Sequence, residues 1–309
     1  MSSVGRVRRA LFGIPSAQAV FSRPGFASQA WERFAPVARN LMEGYHAALE
    51  DPRLPSLRAR LEAVEPEYRG FAYEGAGMGL AALDAVTPWK KRLTAFVDGP
   101  GAAHIYPIYV GVGLAYARLR RSPEAHLAGL DPLLGWVTAD GYGFHEAFFK
   151  RRRTVERHVV PERLTAYGRR YFDQGVGRAL WFSGGASVER VTRQIAGFPP
   201  HRQPDLWSGV GLASAYGGGA SAAELRTLLA RAEPYRAQLA RGAATAAWGR
   251  RQAGNPAAHT DLACEIYSGR GSGSAAAVLD EAARDLPVIS VEPVYEIWRR
   301  RTEEQLSAA

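Results

Sequence analysis

Asp140-Gly-Tyr-Gly-Phe-His-Glu-Ala-Phe-Phe149 is one copy of a pattern that recurs along the chain. The same shape returns as Glu74-Gly-Ala-Gly-Met-Gly-Leu-Ala-Ala82, Val110-Gly-Val-Gly-Leu-Ala-Tyr-Ala117, Gln174-Gly-Val-Gly-Arg-Ala-Leu-Trp181 and Ser208-Gly-Val-Gly-Leu-Ala-Ser-Ala215. The second small residue falls at Gly77, Gly113, Gly143, Gly177 and Gly211, in steps of 36, 30, 34 and 34 residues, and weaker copies at Gly44 and Ala244 each lie 33 residues from their neighbour. Two helices and two short turns occupy about 34 residues. The expected fold is therefore all-α, with helical hairpins of about 34 residues stacked as an open α/α solenoid or closed into a helical ring. Small residues two apart, followed by Leu-Ala, suit a helix start or a close helix crossing.

Outward from these copies the chain divides into a basic arm at 1–27, one helical-repeat domain at 28–300 and a frayed polar tail at 301–309. A second half replays the first from Tyr171, so two duplicated halves are expected to meet near 155–170. Helix punctuation supports short helices between turns. Ser187 and Ser221 read as caps, and Asp131 caps a helix with Pro132 at its first position. Pro36 kinks or splits the helix between Ser28 and Glu50.

Composition narrows the function classes. With 309 residues, 47% of them hydrophobic, the chain can bury a large core. Its charge of +9 suits an anionic partner without choosing one. The densest basic run, Lys150-Arg-Arg-Arg153, reads as a solvated helix end with favourable dipole placement, and no nucleic-acid reading motif accompanies it. A single cysteine, Cys264, excludes an internal disulfide framework and suits a reducing cytoplasm. The arm Arg6-Val-Arg-Arg9-Ala-Leu-Phe-Gly-Ile14 reads first as an ordinary segment packed on the first repeat; basic and briefly apolar, it also leaves peripheral membrane contact open, but it is too short for a signal core. The Gly-rich runs lack the strand, the following acidic residue and the Gly-Lys-Ser/Thr signature of nucleotide loops, so no cofactor is expected. No His-Glu-x-x-His pair points to a metal.

Chemistry is sought where polar residues fall at equivalent, inward-facing places. His145 with Glu146 leads, between aromatic neighbours and with Asp140 capping a helix that starts at Gly141. There the positive helix end would keep the imidazole neutral. His104, His259 and Asp261 are further candidate catalytic residues. A groove for an apolar rod is expected from Tyr106, Tyr109, Tyr116, Tyr142, Phe144, Trp181 and Trp207, with Asp205 setting register.

The runs His104-Ile-Tyr-Pro-Ile-Tyr-Val-Gly-Val-Gly-Leu-Ala115, Asp140-Gly-Tyr-Gly-Phe-His-Glu146, Phe172-Asp-Gln-Gly-Val-Gly-Arg-Ala-Leu-Trp-Phe182 and Asp205-Leu-Trp-Ser-Gly-Val-Gly-Leu-Ala213 resemble the domain of unknown function 1702, a family of enediyne antibiotic gene clusters. The resemblance covers nearly the whole chain. It implies a role beside the enediyne polyketide synthase, in turning a linear polyene into the enediyne core, and it transfers no catalytic residues. Two classes stay open. One is an enzyme or enzyme subunit that binds an apolar polyene, free or bound to a polyketide synthase carrier domain, and works by acid/base or cyclisation chemistry. The other is a non-catalytic adaptor or chaperone that holds the polyene or assembles other enediyne pathway proteins.

Overall fold

The computed structural model describes residues 3–15 and 20–307, which are helical with no strand among them. A row of seven helices carries the glycine copies: α2 (Ala30–Glu50), α4 (Pro66–Val86), α6 (Ile105–Arg118), α7 (Val137–Phe149), α8 (Ala166–Ser183), α10 (Gln203–Gly217) and α12 (Arg236–Gln252). Each packs on the next. Neighbours in the row run in the same direction. Tyr73 near the start of α4 stacks on His104 just ahead of α6, while at the other end the Arg121 guanidinium donates to the Ala85 carbonyl.

Parallel neighbours require a return segment between them, which is what sets the step of about 34 residues. The returns differ in kind. α3 (Leu54–Glu62), α5 (Arg92–Val97), α9 (Val188–Ala196) and α11 (Ala222–Arg231) are short helices. The chain passes from α6 to α7 by 3-10 turns at Glu124–Gly129 and Leu134–Trp136, and from α7 to α8 by a π turn at Arg152–Glu156. The expected caps at Ser187 and Ser221 are present, the latter as a full capping box. Asp131 accepts from the backbone N–H groups of Leu133 and Leu134 at 2.9 and 2.7 Å, though it introduces a 3-10 turn and not a helix. Pro36 lies inside an unbroken α2.

The glycines lie within helices, at crossings, and not at helix starts. In each copy the first glycine faces the preceding helix and the second faces the following one. A Cβ at Gly141 would stand 2.0 Å from the Val110 carbonyl oxygen, and one at Gly143 would stand 2.0 Å from that of Phe172. Mid-helix glycine costs about 1 kcal/mol against alanine. Backbone-to-backbone contact offsets that cost by bringing carbonyl and Cα groups into van der Waals range along the whole row.

The row also folds back on itself. The start of α2 rests on the end of α8, where the Ala27 N–H donates to the Ser183 carbonyl and Phe34 meets Phe182 edge-on at 4.8 Å. The start of α4 rests on the ends of α10 and α12, where buried Arg250 donates to the carbonyls of Tyr216, Asn255 and Glu67. Contacts continue unbroken across 155–170, since Gly143 and Gly175 bring α7 and α8 together as closely as any pair.

The arm packs on the first repeat, as one of its two sequence readings expects, and the tail continues as helix. α1 (Ser3–Phe12) lies on α2, with Gly5 buried against the Glu50 backbone and the Tyr45 hydroxyl donating to the Phe12 carbonyl at 2.6 Å. The tail expected to fray is helix α15 (Val294–Ser307), with Thr302 and Leu306 buried. Ion pairs hold it. Arg299 and Arg170 both reach Asp205, Arg170 also reaches Glu296, and Arg241 meets Glu303 at 2.8 Å. Only residues 308–309 of that tail lie outside the described residues, as do 1–2 and 16–19 of the arm. α13 (Ala258–Ser268) and α14 (Ser272–Ala282) complete the chain between α12 and α15.

Candidate functional site

In several copies the residue ahead of the first glycine turns toward the inside of the row, and three of these residues hydrogen-bond in series. Gln174 Nε2 donates to Asp140 Oδ2 at 2.8 Å, and Ser208 Oγ donates to Gln174 Oε1 at 3.2 Å. Arg178, one residue past Gly177, donates to the other oxygen of Asp140 and stands 4.0 Å from the Glu74 carboxylate. All five side chains are buried. Asp140 therefore caps nothing. It sits within α7, which begins at Val137, and its charge is matched by Arg178.

Glu74 and Arg178 form the inner end of an apolar chamber of about 200 Å³ enclosed by α2, α4, α6, α7 and α8 together with Ile14 and Phe21. Phe71, Phe144, Phe148 and Phe182 supply aromatic walls, and Leu41 and Met78 add aliphatic surface. The Phe144 and Phe148 rings stack at 5.5 Å, and the Arg178 guanidinium lies 5.3 Å over the Phe144 ring. Exposure rises from Glu74 (3%) to Phe149 (40%), which puts the mouth at Arg118, His145 and Phe149.

Electrostatics separate the two ends. Burial pushes the Glu74 carboxyl up to about 7; Arg178 opposes the shift and Asp140 adds to it. A carboxyl poised there exchanges a proton near neutral pH. Burial acts to lower the pKa of Arg178, but Asp140 and Glu74 outweigh it, so Arg178 stays cationic. At the mouth, burial lowers the His145 pKa, with Glu146 opposing at 3.3 Å and Lys150 and Arg118 adding to the fall. His145 is neutral mainly because it is buried. It lies two turns inside α7, beyond the reach of the helix start invoked for it from the sequence.

The other sequence candidates do not converge on this chamber. Glu146 adjoins His145 but holds Lys150 at 2.7 Å. His104 stacks on Tyr73 with ring centroids 3.8 Å apart, and burial lowers its pKa to about 4. His259 lies against the Tyr216 carbonyl at 3.1 Å, and Asp261 accepts from the Ser272 N–H at the start of α14. Among the described residues no three His, Cys, Asp or Glu side chains are arranged to hold a metal ion.

Of the expected aromatic groove only Phe144 lines the chamber. Tyr106 touches the inner polar line, its hydroxyl 3.4 Å from Gln174 Nε2. Tyr109 accepts from the Asp131 N–H, Tyr116 packs on His126 and Tyr142 packs near Phe172. Trp181 donates to the Gly218 carbonyl, Trp207 is buried in the core, and Asp205 anchors α15. These side chains fill space between helices.

Glu74 and Arg178 are the functional candidates that the sequence reading passed over. A signal was present, since Glu74 stands directly ahead of a first glycine as Asp140 and Gln174 do. Its pairing with Arg178 was hidden because those two helices are not sequence neighbours. Residues 3–306 match a family model described as Protein of unknown function (DUF1702). No curated protein and no solved structure matches the chain.

Proposed function

The chain belongs to the family described as Protein of unknown function (DUF1702), and from that premise we propose that it acts in enediyne core biosynthesis, holding a linear polyene in its chamber and moving protons on it. The observation that carries the reading is the buried Glu74 carboxyl at the inner end of an aromatic chamber, raised to about 7 by that burial and set beside a cation whose own charge is fixed. An apolar chain gains free energy by burial there, and its inner end meets Glu74. Protonated Glu74 gives its proton to one chain carbon and the resulting carboxylate removes a proton from another. A double bond shifts, and no oxidant or reductant is consumed. We read the helical row as an α/α solenoid rather than a closed ring, because α2 rests on α8 and α4 on α10, an offset that a ring of successive neighbours does not produce.

The test is to incubate the purified protein with a linear polyene in D2O and follow deuterium in the recovered chain together with its absorption spectrum. Deuterium incorporation with a spectral shift is the expected result. Tight binding without either change would favour the adaptor class.

His145 guides the chain at the mouth in this reading. His145→Gln is expected to lower turnover about 10-fold, below the loss typical of a proton-transfer group, with melting unchanged. His104→Gln and His259→Gln should alter melting and leave turnover alone. A loss of turnover in either of those two variants at unchanged stability would contradict the placement of the site.

Membrane contact belongs to the same proposal. Val4, Val7 and Leu11 lie on one face of α1 and are 56, 57 and 72% exposed, with Arg6 and Arg8 beside them. Ile14, two residues past the helix, lines the chamber. A helix lying in a bilayer interface would thus deliver an apolar chain directly to the site. No helix among the described residues is long and apolar enough to cross a membrane. Wild type should sediment with anionic phosphatidylserine vesicles and Leu11→Asp should release it. Equal sedimentation of the two would remove α1 from the membrane contact.

A further inference from the structure

We propose that the chamber's ligand bears a phosphate head, held in a basic cleft that adjoins the mouth. The inference rests on the chamber reading and names the class of compound that fills it. The cleft, about 480 Å³, lies between Arg23-Pro24 with Phe26 and the segment 148–153. Arg23, Lys150, Arg151, Arg152 and Arg153 all line it, and no carboxylate does. Phe148 and Phe149 line both the cleft and the chamber, so the two spaces share one aromatic wall. The Arg23 guanidinium lies 4.7 Å over the Phe149 ring, at the passage from one to the other.

Such crowding of cations is unfavourable without an anion to relieve it. Lys150 is engaged by Glu146, and Arg151 contacts the Ser183 hydroxyl at 3.4 Å. Burial and neighbouring Arg190 lower the Arg151 pKa, with Glu156 opposing. Arg152 and Arg153 are exposed, and among the described residues neither side chain has an ion pair. The π turn at Arg152–Glu156 keeps these arginines beside the end of α7. Guanidinium forks match phosphate oxygens in two-point contacts, and a phosphate can engage several at once. A ligand with its head in the cleft and its chain passing Phe149 satisfies both spaces together. The phosphate could be esterified directly to the chain or belong to a phosphopantetheine arm that carries the chain as a thioester.

Isothermal titration of decyl phosphate, hexyl phosphate, decanol, inorganic phosphate and decanoyl-coenzyme A, each against wild type and Arg152→Ala/Arg153→Ala, decides the matter. Decyl phosphate should bind at least 10-fold tighter than decanol and more than 10-fold tighter than hexyl phosphate, because four fewer methylenes enter the chamber. The double variant, altered only at exposed positions, should lose the phosphate advantage and keep its affinity for decanol. Decanoyl-coenzyme A binding with the same arginine dependence would assign the phosphate to a thioester arm. Its failure beside tight decyl phosphate binding would assign the phosphate to the chain itself. Equal affinity for decyl phosphate and decanol in wild type overturns the head-group site and leaves the chamber reading intact. Inorganic phosphate binding as tightly as decyl phosphate also overturns it, since the cleft would then act alone. If no chain compound binds, the chamber reading fails, and this inference fails with it.

Discussion

Glu74→Gln is expected to reduce deuterium incorporation and turnover of the linear polyene by about 10²-fold or more, while the variant becomes more stable than wild type at pH 8. The two halves of that result have one cause. The folded chain holds the Glu74 proton until pH about 7, whereas an ordinary glutamate carboxyl, near 4.5, has released it by then. Between those values the folded state binds more protons than the unfolded state, so stability falls as pH rises. The contribution is fully present below about 4.5 and lost through about 7. Glutamine keeps the shape and removes this titration, which should give about 1–3 kcal/mol of added stability at pH 8 and a flatter melting curve against pH in that window. Arg178 is not left without a counter-charge, because Asp140 remains bound to it. A structural role for Glu74 predicts the reverse, lower stability with activity lost only through unfolding. Full deuterium exchange by a well-folded Glu74→Gln protein would end the proposed chemistry.

Gly143→Ala should unfold the protein or cost more than about 3 kcal/mol, although alanine is the best helix former and the position lies in mid-helix. The added methyl would stand 2.0 Å from the Phe172 carbonyl oxygen, which belongs to helix backbone and cannot rotate away. Relief would need α7 and α8 to separate, and their separation would break the Asp140–Gln174 hydrogen bond and open the chamber wall at Phe144. Gly211→Ala, facing the Leu239 carbonyl at 2.0 Å, should behave alike. Gly249→Ala is the matched control, since nothing lies within 4 Å of its added methyl; helix propensity alone predicts no loss there and a small gain. Thermal melting of the three variants settles the point. Comparable stability in all three would mean that the glycines are not what brings the helices together.

Much of the architecture was legible because the glycine spacing records a local physical event, the contact of one helix with the next. Each contact involves successive helices of the row, so its period appears directly in the chain at Gly77, Gly113, Gly143, Gly177 and Gly211. The inward line of Asp140, Gln174 and Ser208 was not legible in that way, because Asp140 reads as a cap and spacing alone does not show which polar residues hydrogen-bond in series. Helix limits were less legible too. Asp140 looks like a cap in sequence because Gly141 follows it, yet a glycine used for helix contact is indistinguishable there from a glycine used to start a helix.

The sequence by itself determined an all-helical chain and its step of about 34 residues, because these depend on periodicity and near neighbours. Only the tertiary structure decided which side chains meet in the candidate site. Glu74 meets Arg178 across 104 residues because α4 and α8, separated in the row by α6 and α7, face each other over the chamber. The same return of the chain brings Arg23 over Phe149 and sets the mostly exposed basic run at Lys150 to Arg153, at the end of α7, beside the chamber. The curvature of the row sets these meetings. It depends on all the helix contacts along the row together, and no single segment of sequence carries that sum.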